Sequence, residues 1–211
     1  MAEVTADQVS RRLKDLFNKG FSAFERENLD YAIDLLFSCI EQEPDFLQAR
    51  RFLRAAEIKR ARNRKAGTVG AMLSSLSGAP TYVKAGILLK AGRNERALRE
   101  TEKLLRGHPL NRGFIKLFVE AASASERTEE AIQTMEMVQE DFADDNEFLK
   151  LRGDLYLKAG RTREARRCFE RLCELSPRDP EAIKALKDAM ALDSMAADGW
   201  NAAAEGGSYR D

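Results

Sequence analysis

Leu89-Lys90-Ala91-Gly92-Arg93, with Ala97 four residues further on, recurs as Leu157-Lys158-Ala159-Gly160-Arg161, with Ala165 four further on. The copies lie 68 residues apart, twice 34, and Glu126-Arg127-Thr128-Glu129-Glu130-Ala131 occupies the halfway register. Ala97, Ala131 and Ala165 therefore step by 34. Ala32 lies 65 residues before Ala97, two periods less three, which leaves room for one shortened unit between them. Prolines keep the same step: Pro44, Pro109 and Pro177 each follow the matching alanine by 12, and Ala143 stands at the remaining position. Two residue types obeying one register mark an internal repeat, the signature of stacked supersecondary units.

Within a unit the apolar spacing is helical. Ala165, Cys168, Phe169, Leu172 and Cys173 fall at i, i+3, i+4, i+7 and i+8, one face of a helix. Gly92, Gly160 and Asn28 stand where a short turn joins two antiparallel helices, and glycine or asparagine there tolerates a left-handed backbone. The prolines end each second helix. Helices are expected near 6–27, 29–43, 45–63, 67–77, 80–91, 94–107, 111–125, 128–142, 146–159, 162–175 and 179–192.

A 34-residue helix-turn-helix with a small residue early in its second helix and a proline at its end resembles the tetratricopeptide repeat. Leu149, Gly153, Tyr156, Ala165, Phe169 and Pro177 fall on that pattern in the last full unit, with Leu149 in place of the usual leading tryptophan. Leu16, Gly20, Ala23, Ala32, Leu36 and Pro44 do so in the first. The resemblance spans about residues 13–192 and implies an all-α, right-handed α-solenoid of antiparallel helix pairs. Units are expected near 13–46, 47–79, 80–111, 112–145 and 146–179, then a capping helix 180–192 and a disordered tail 193–211. The unit 47–79 departs from the pattern, because its second half contains Gly67 and Gly70 and is three residues short. Trp200 and Tyr209 in the tail are either idle or anchors for a partner.

Composition fits this reading. The chain is 33% charged and 44% hydrophobic, with five prolines, as a folded helical protein requires. Its 35 acidic and 35 basic residues cancel, so no global field draws it to nucleic acid or an anionic membrane. No apolar run of bilayer-spanning length is present, and Met1 to Ser10 lacks the features of a secretory signal. Cys39, Cys168 and Cys173 are too few and scattered for a disulfide framework. A cytoplasmic location is expected.

Catalytic and metal motifs are absent from the sequence: there is no phosphate-binding loop, nucleophile elbow or zinc-protease pattern. The single histidine, His108, has no cysteine or second histidine near it, and reads as a surface residue. No enzyme activity, cofactor or metal is expected. The resemblance implies a protein-binding scaffold or adaptor whose concave face takes another protein or a peptide segment.

Three surface features are candidate sites. Phe17, Phe21 and Phe24 continue one face of the opening helix, and either look into the concave groove as aromatic anchors or pack on the second repeat. Lys116, Lys150 and Lys184 step by 34, each followed four residues on by an acid, Glu120, Asp154 and Asp188. By the resemblance these lie on the concave face. They are either exposed intrahelical pairs or a polar groove for a partner of mixed charge. A lysine there resembles half of the clamp by which some family members hold a chaperone's terminal carboxylates. The other half is an asparagine in those proteins and an acid here, which repels a carboxylate.

The third feature is basic: Arg50, Arg51, Arg54, Lys59, Arg60, Arg62, Arg64 and Lys65, against Glu57. It reads as a solvated face, as a site for an acidic protein segment, or as a nucleic-acid contact; the lack of interleaved aromatics disfavours base stacking. The acidic stretch Glu140-Asp141-Phe142-Ala143-Asp144-Asp145 is able to pair with it on another copy, so self-association is a further expectation.

Overall fold

The computed structural model describes residues 8–64 and 78–206, with side chains described as far as residue 196. Among the described residues the fold is all-α. The helices are α1 (Arg11–Glu25), α2 (Leu29–Gln42), α3 (Leu47–Arg64), α4 (Ala79–Lys90), α5 (Asn94–Gly107), α6 (Arg112–Ala124), α7 (Thr128–Met137), α8 (Asn146–Lys158), α9 (Thr162–Leu175) and α10 (Pro180–Gly206). The helix expected at 67–77 lies outside the described residues, as do Lys65 and Tyr209.

The repeat is written most plainly in the turns. Four hairpins close with one hydrogen-bond pattern, in which an amide reaches back to the carbonyl five residues earlier: Asn28 to Ala23, Arg93 to Leu88, Arg127 to Ala122 and Arg161 to Tyr156, at 2.8–2.9 Å. This is the Schellman closure, which places one residue in the left-handed region. That residue is Gly92 (φ 70°) and Gly160 (φ 73°) in two turns and Glu126 and Glu27 (φ 61° each) in the others. Asn28 is therefore one residue off the expected position: it is the N-cap of α2, with φ −80°.

The register alanines Ala32, Ala97, Ala131 and Ala165 are all fully buried. They are small because helices approach closely there, and the facing glycines show how closely. A Cβ added to Gly153 would sit 2.5 Å from Cζ of Phe169, and one added to Gly20 would sit 2.9 Å from Cγ of Leu36. Glycine in a helix interior costs about 1 kcal/mol relative to alanine, so the contact it permits is what retains it.

Contacts divide the chain into two compact units, Met1–Val138 and Gln139–Asp211. In the second, α9 packs on α8 and on α10, as successive repeats do. In the first, α4, α5, α6 and α7 also pack in sequence, and α1, α2 and α3 form a bundle around Ile33, Leu36, Phe46 and Leu53. The departure is α3. Besides α2 it packs on α5 and α7, the second helices of the following repeats, rather than only on its chain neighbours.

Two helix ends differ from expectation. α7 stops at Met137 instead of residue 142, and residues 138–144 form turns. Glu140, Asp141 and Asp144 explain this, because acids oppose the negative end of a helix dipole. α10 continues past Leu192 to Gly206, where a disordered tail was expected. Its Met195-Ala196-Ala197 and Ala202-Ala203-Ala204 are strong helix formers, and Gly199 alone does not outweigh them.

Candidate partner-binding surfaces

Phe17, Phe21 and Phe24 pack rather than line an open groove. Phe17 is buried with its ring centre 5.0 Å from that of Phe46, on the turn entering α3. Phe21 and Phe24 lie edge-on to Phe52 of α3 at 4.8 and 6.0 Å. The ammonium of Lys59 sits over the Phe24 ring at 5.7 Å. Phe46 and Phe52 supply the rings that meet α1, and Phe21 and Phe24 stay half-buried against them.

Part of the basic segment is turned inward, while Arg51 and Arg64 remain exposed. Arg50 and Arg54 are buried in an ionic cluster that joins α3 to α5 and α7. Arg50 binds Glu102 at 2.9 Å and pairs with Glu130; Arg54 binds Glu102 at 2.6 Å and pairs with Glu57. Arg127 extends the cluster to Glu130, to Glu95 and to Asp45 in the α2–α3 turn. Lys59 is paired with Glu27 at 2.7 Å and Arg60 with Asp30 at 2.9 Å. Apart from Glu57, the acids that pair with these residues are remote in sequence, so a local count of charge misses them. One oxygen of the fully buried Glu57 takes Arg54 and the other has no hydrogen-bond partner. Burial consequently outweighs the arginine and pushes the Glu57 carboxyl up to about 7.

The lysine–acid ladder is at the surface where it is described. Lys150 on α8 is exposed, and its ammonium binds Glu181 of α10 at 2.6 Å, so the contact runs between helices as well as along one. Asp154, Lys184 and Asp188 are exposed on the same two helices, and Glu120 on α6, while Lys116 is half-buried.

One extension of this ladder is absent from the sequence reading although the register contains it. Tyr82 and Gly86 stand 34 residues before Lys116 and Glu120. On α4 the charged pair is thus replaced by an aromatic and a gap. Tyr82 is 40% exposed and its ring lies 5.6 Å from that of Phe114 on α6. No heavy atom stands within 4 Å of the position a Gly86 Cβ would take. Val83 and Ile87, beside them, are 58% and 62% exposed. A face with a partly exposed ring, open space and a neighbouring lysine and carboxylate has the ingredients of a peptide-binding hot spot.

Cys39 and Cys168 are buried free thiols; burial pushes Cys39 up to about 11 and raises Cys168 as well, away from the thiolate. His108 lies edge-on to Phe114 at 6.0 Å. Among the described residues no helix is long and apolar enough to cross a membrane.

These features define a helical-hairpin repeat protein built for contact. Two models of the tetratricopeptide repeat match, over residues 88–155 and 146–189. The chain is a member of the tetratricopeptide repeat family. Solved structures agree in fold. The first tetratricopeptide domain of Spaghetti (RPAP3), bound to an HSP90 peptide, is 18% identical with a TM-score of 0.51, over 57% of this chain and 95% of that one. A type III secretion complex from Aeromonas hydrophila is 18% identical with a TM-score of 0.50, over 67% and 97%. No curated protein matches by sequence.

Proposed function

We propose that the chain is a non-catalytic cytoplasmic scaffold that binds another protein through the first-helix face of α4 and α6. The observation that carries this reading is the register of Tyr82 and Gly86 with Lys116 and Glu120. Along one face it provides an aromatic surface, a space for an apolar side chain, and one charge of each sign. Lys150, Asp154, Lys184 and Asp188 supply a polar counterpart in the second unit. The fold is one that takes peptides, since a structural neighbour is solved with one in place. An acidic chaperone tail is not the ligand proposed, because Glu120, Asp154 and Asp188 oppose its carboxylates.

Gly86→Leu fills the open space and leaves the buried core untouched. In affinity capture from native extract, with nuclease present, the intact chain is expected to retain a specific protein that the Gly86→Leu and Tyr82→Ala variants lose. Equal capture by all three chains, or recovery of nucleic acid alone, overturns the reading.

A further inference from the structure

A second surface lies on the opposite kind of helix. Between α2 and α5, both second helices of their hairpins, the first unit holds an open cleft of about 540 Å³. That is within the ~300–1,000 Å³ of sites that take compact ligands. Phe37 and Ile40 of α2, Leu88 of α4 and Leu98 of α5 line it, so its base is apolar. Arg93, Arg96 and Arg99 stand around it.

The charges along this stretch look balanced in sequence, since Glu95, Glu100 and Glu102 alternate with the arginines. Folding unbalances them. Glu95 is taken by Arg127, Glu100 by Lys84 and Lys103, and Glu102 by Arg50 and Arg54. Arg93, Arg96 and Arg99 are exposed, and none forms an ion pair among the described residues. Against these three cations the cleft sets the lone carboxylate of Glu41. Folding thus leaves a positive surface at 93–99 that the local balance of charge in the sequence conceals.

We propose that this cleft binds an acidic amphipathic helix of a partner protein, with its carboxylates on Arg93, Arg96 and Arg99 and its apolar side chains on the half-buried Leu88 and the edges that Phe37, Ile40 and Leu98 leave at the cleft. Arg93 caps α5 and Arg96 and Arg99 follow at three-residue steps, the latter two roughly 4.5 Å apart along the helix at 1.5 Å per residue. Acids three or four residues apart on a partner helix repeat at a similar interval, whereas alternate side chains of an extended strand repeat at roughly 6.6 Å. Guanidinium groups suit such carboxylates because their planar fork offers two parallel donors. Exposed pairs of this kind are individually weak and screened by salt, so the apolar base is needed for affinity.

The test uses fluorescence anisotropy of the intact chain with a dye-labelled helical peptide of glutamate and leucine. Its comparators are the same peptide with serine for leucine, the same peptide with glutamine for glutamate, and a short single-stranded RNA. The glutamate–leucine peptide is expected to bind saturably, and each comparator about tenfold or more weakly. Arg93→Gln, Arg96→Gln and Arg99→Gln together are expected to weaken it by a similar factor, with an unchanged circular dichroism spectrum and melting curve. Gly86→Leu, on the other face, is expected to leave it unchanged, which separates this site from the one proposed above. No binding by the intact chain overturns the proposal. So does a triple variant that binds within twofold of it, or equal binding of the serine peptide or the RNA.

Discussion

The hairpin α8–α9 and the helix α3 are both held by neighbouring helices, but by different forces. Between α8 and α9 the contact is apolar, with Gly153 against Phe169, Ala165 buried, and the charges left outside. Arg171, for example, pairs with Asp144 and Glu174 in water. On α3 the charges are inside, and Arg50, Arg54 and Glu57 meet Glu102 and Glu130 with almost no solvent exposure. A repeat interface recurs, so small apolar residues suffice to encode it. The α3 interface occurs once, and directional ion pairs fix its position where a second apolar face would slide. Buried pairs need not add stability over an apolar substitute, so the difference concerns specificity of docking.

The largest effect is expected from Glu102→Ala, which removes the shared partner of Arg50 and Arg54. Loss of one side of a buried pair costs about 3–5 kcal/mol, and urea unfolding is expected to show it as a lower midpoint for the first unit. If Glu102→Ala costs no more than a surface change, the cluster does not hold α3 and the contrast collapses. Gly153→Ala is expected to cost about 1–3 kcal/mol by overpacking against Phe169, measured by thermal unfolding. A smaller cost would mean that the apolar hairpin yields more readily than its geometry implies.

Glu57 sharpens the comparison through pH. Its folded value of about 7 stands above the ordinary glutamate value of 4.5. Between those values the folded state holds the extra proton, so stability falls as pH rises through that window. Glu57→Gln is expected to flatten that slope by about 1–3 kcal/mol, each pKa unit being worth about 1.4 kcal/mol. Urea titrations of both proteins at the two ends of the window read it directly. Arg171→Ala is expected to leave the unfolding midpoint unchanged, since its partners are solvated.

Most of the repeat was legible because it is periodic. The alanine register and the hairpin turns follow from spacing alone; the structure shifts the left-handed position from Asn28 to Glu27 and moves the ends of α7 and α10. The sites were legible only where they followed the same period. Lys150 lies at the surface as its register implies, and Tyr82 with Gly86 was available in the same count but concealed by its change of chemistry. What the sequence withheld was long-range pairing. Nothing near Arg54 announces Glu102, and nothing near Phe17 announces that Phe52 will turn back upon it. A run of arginines and a row of phenylalanines are therefore ambiguous in the sequence, because partners of several of them lie elsewhere in the chain.

Arg127 has a consequence for how the molecule opens. A regular repeat array is quasi-one-dimensional, and its end units can fray while the rest stays folded. Arg127 binds Asp45 and the carbonyl of Pro44 from the head of α7, more than 80 residues away in sequence. This clasp, with the cluster on α3, bypasses the intervening helices. The amino-terminal bundle is thus tied to the far end of its own unit, and α2, α3, α5 and α7 form one cooperative block. Native-state hydrogen exchange is expected to show their slowest amides opening together, with no gradient of protection rising from the amino terminus.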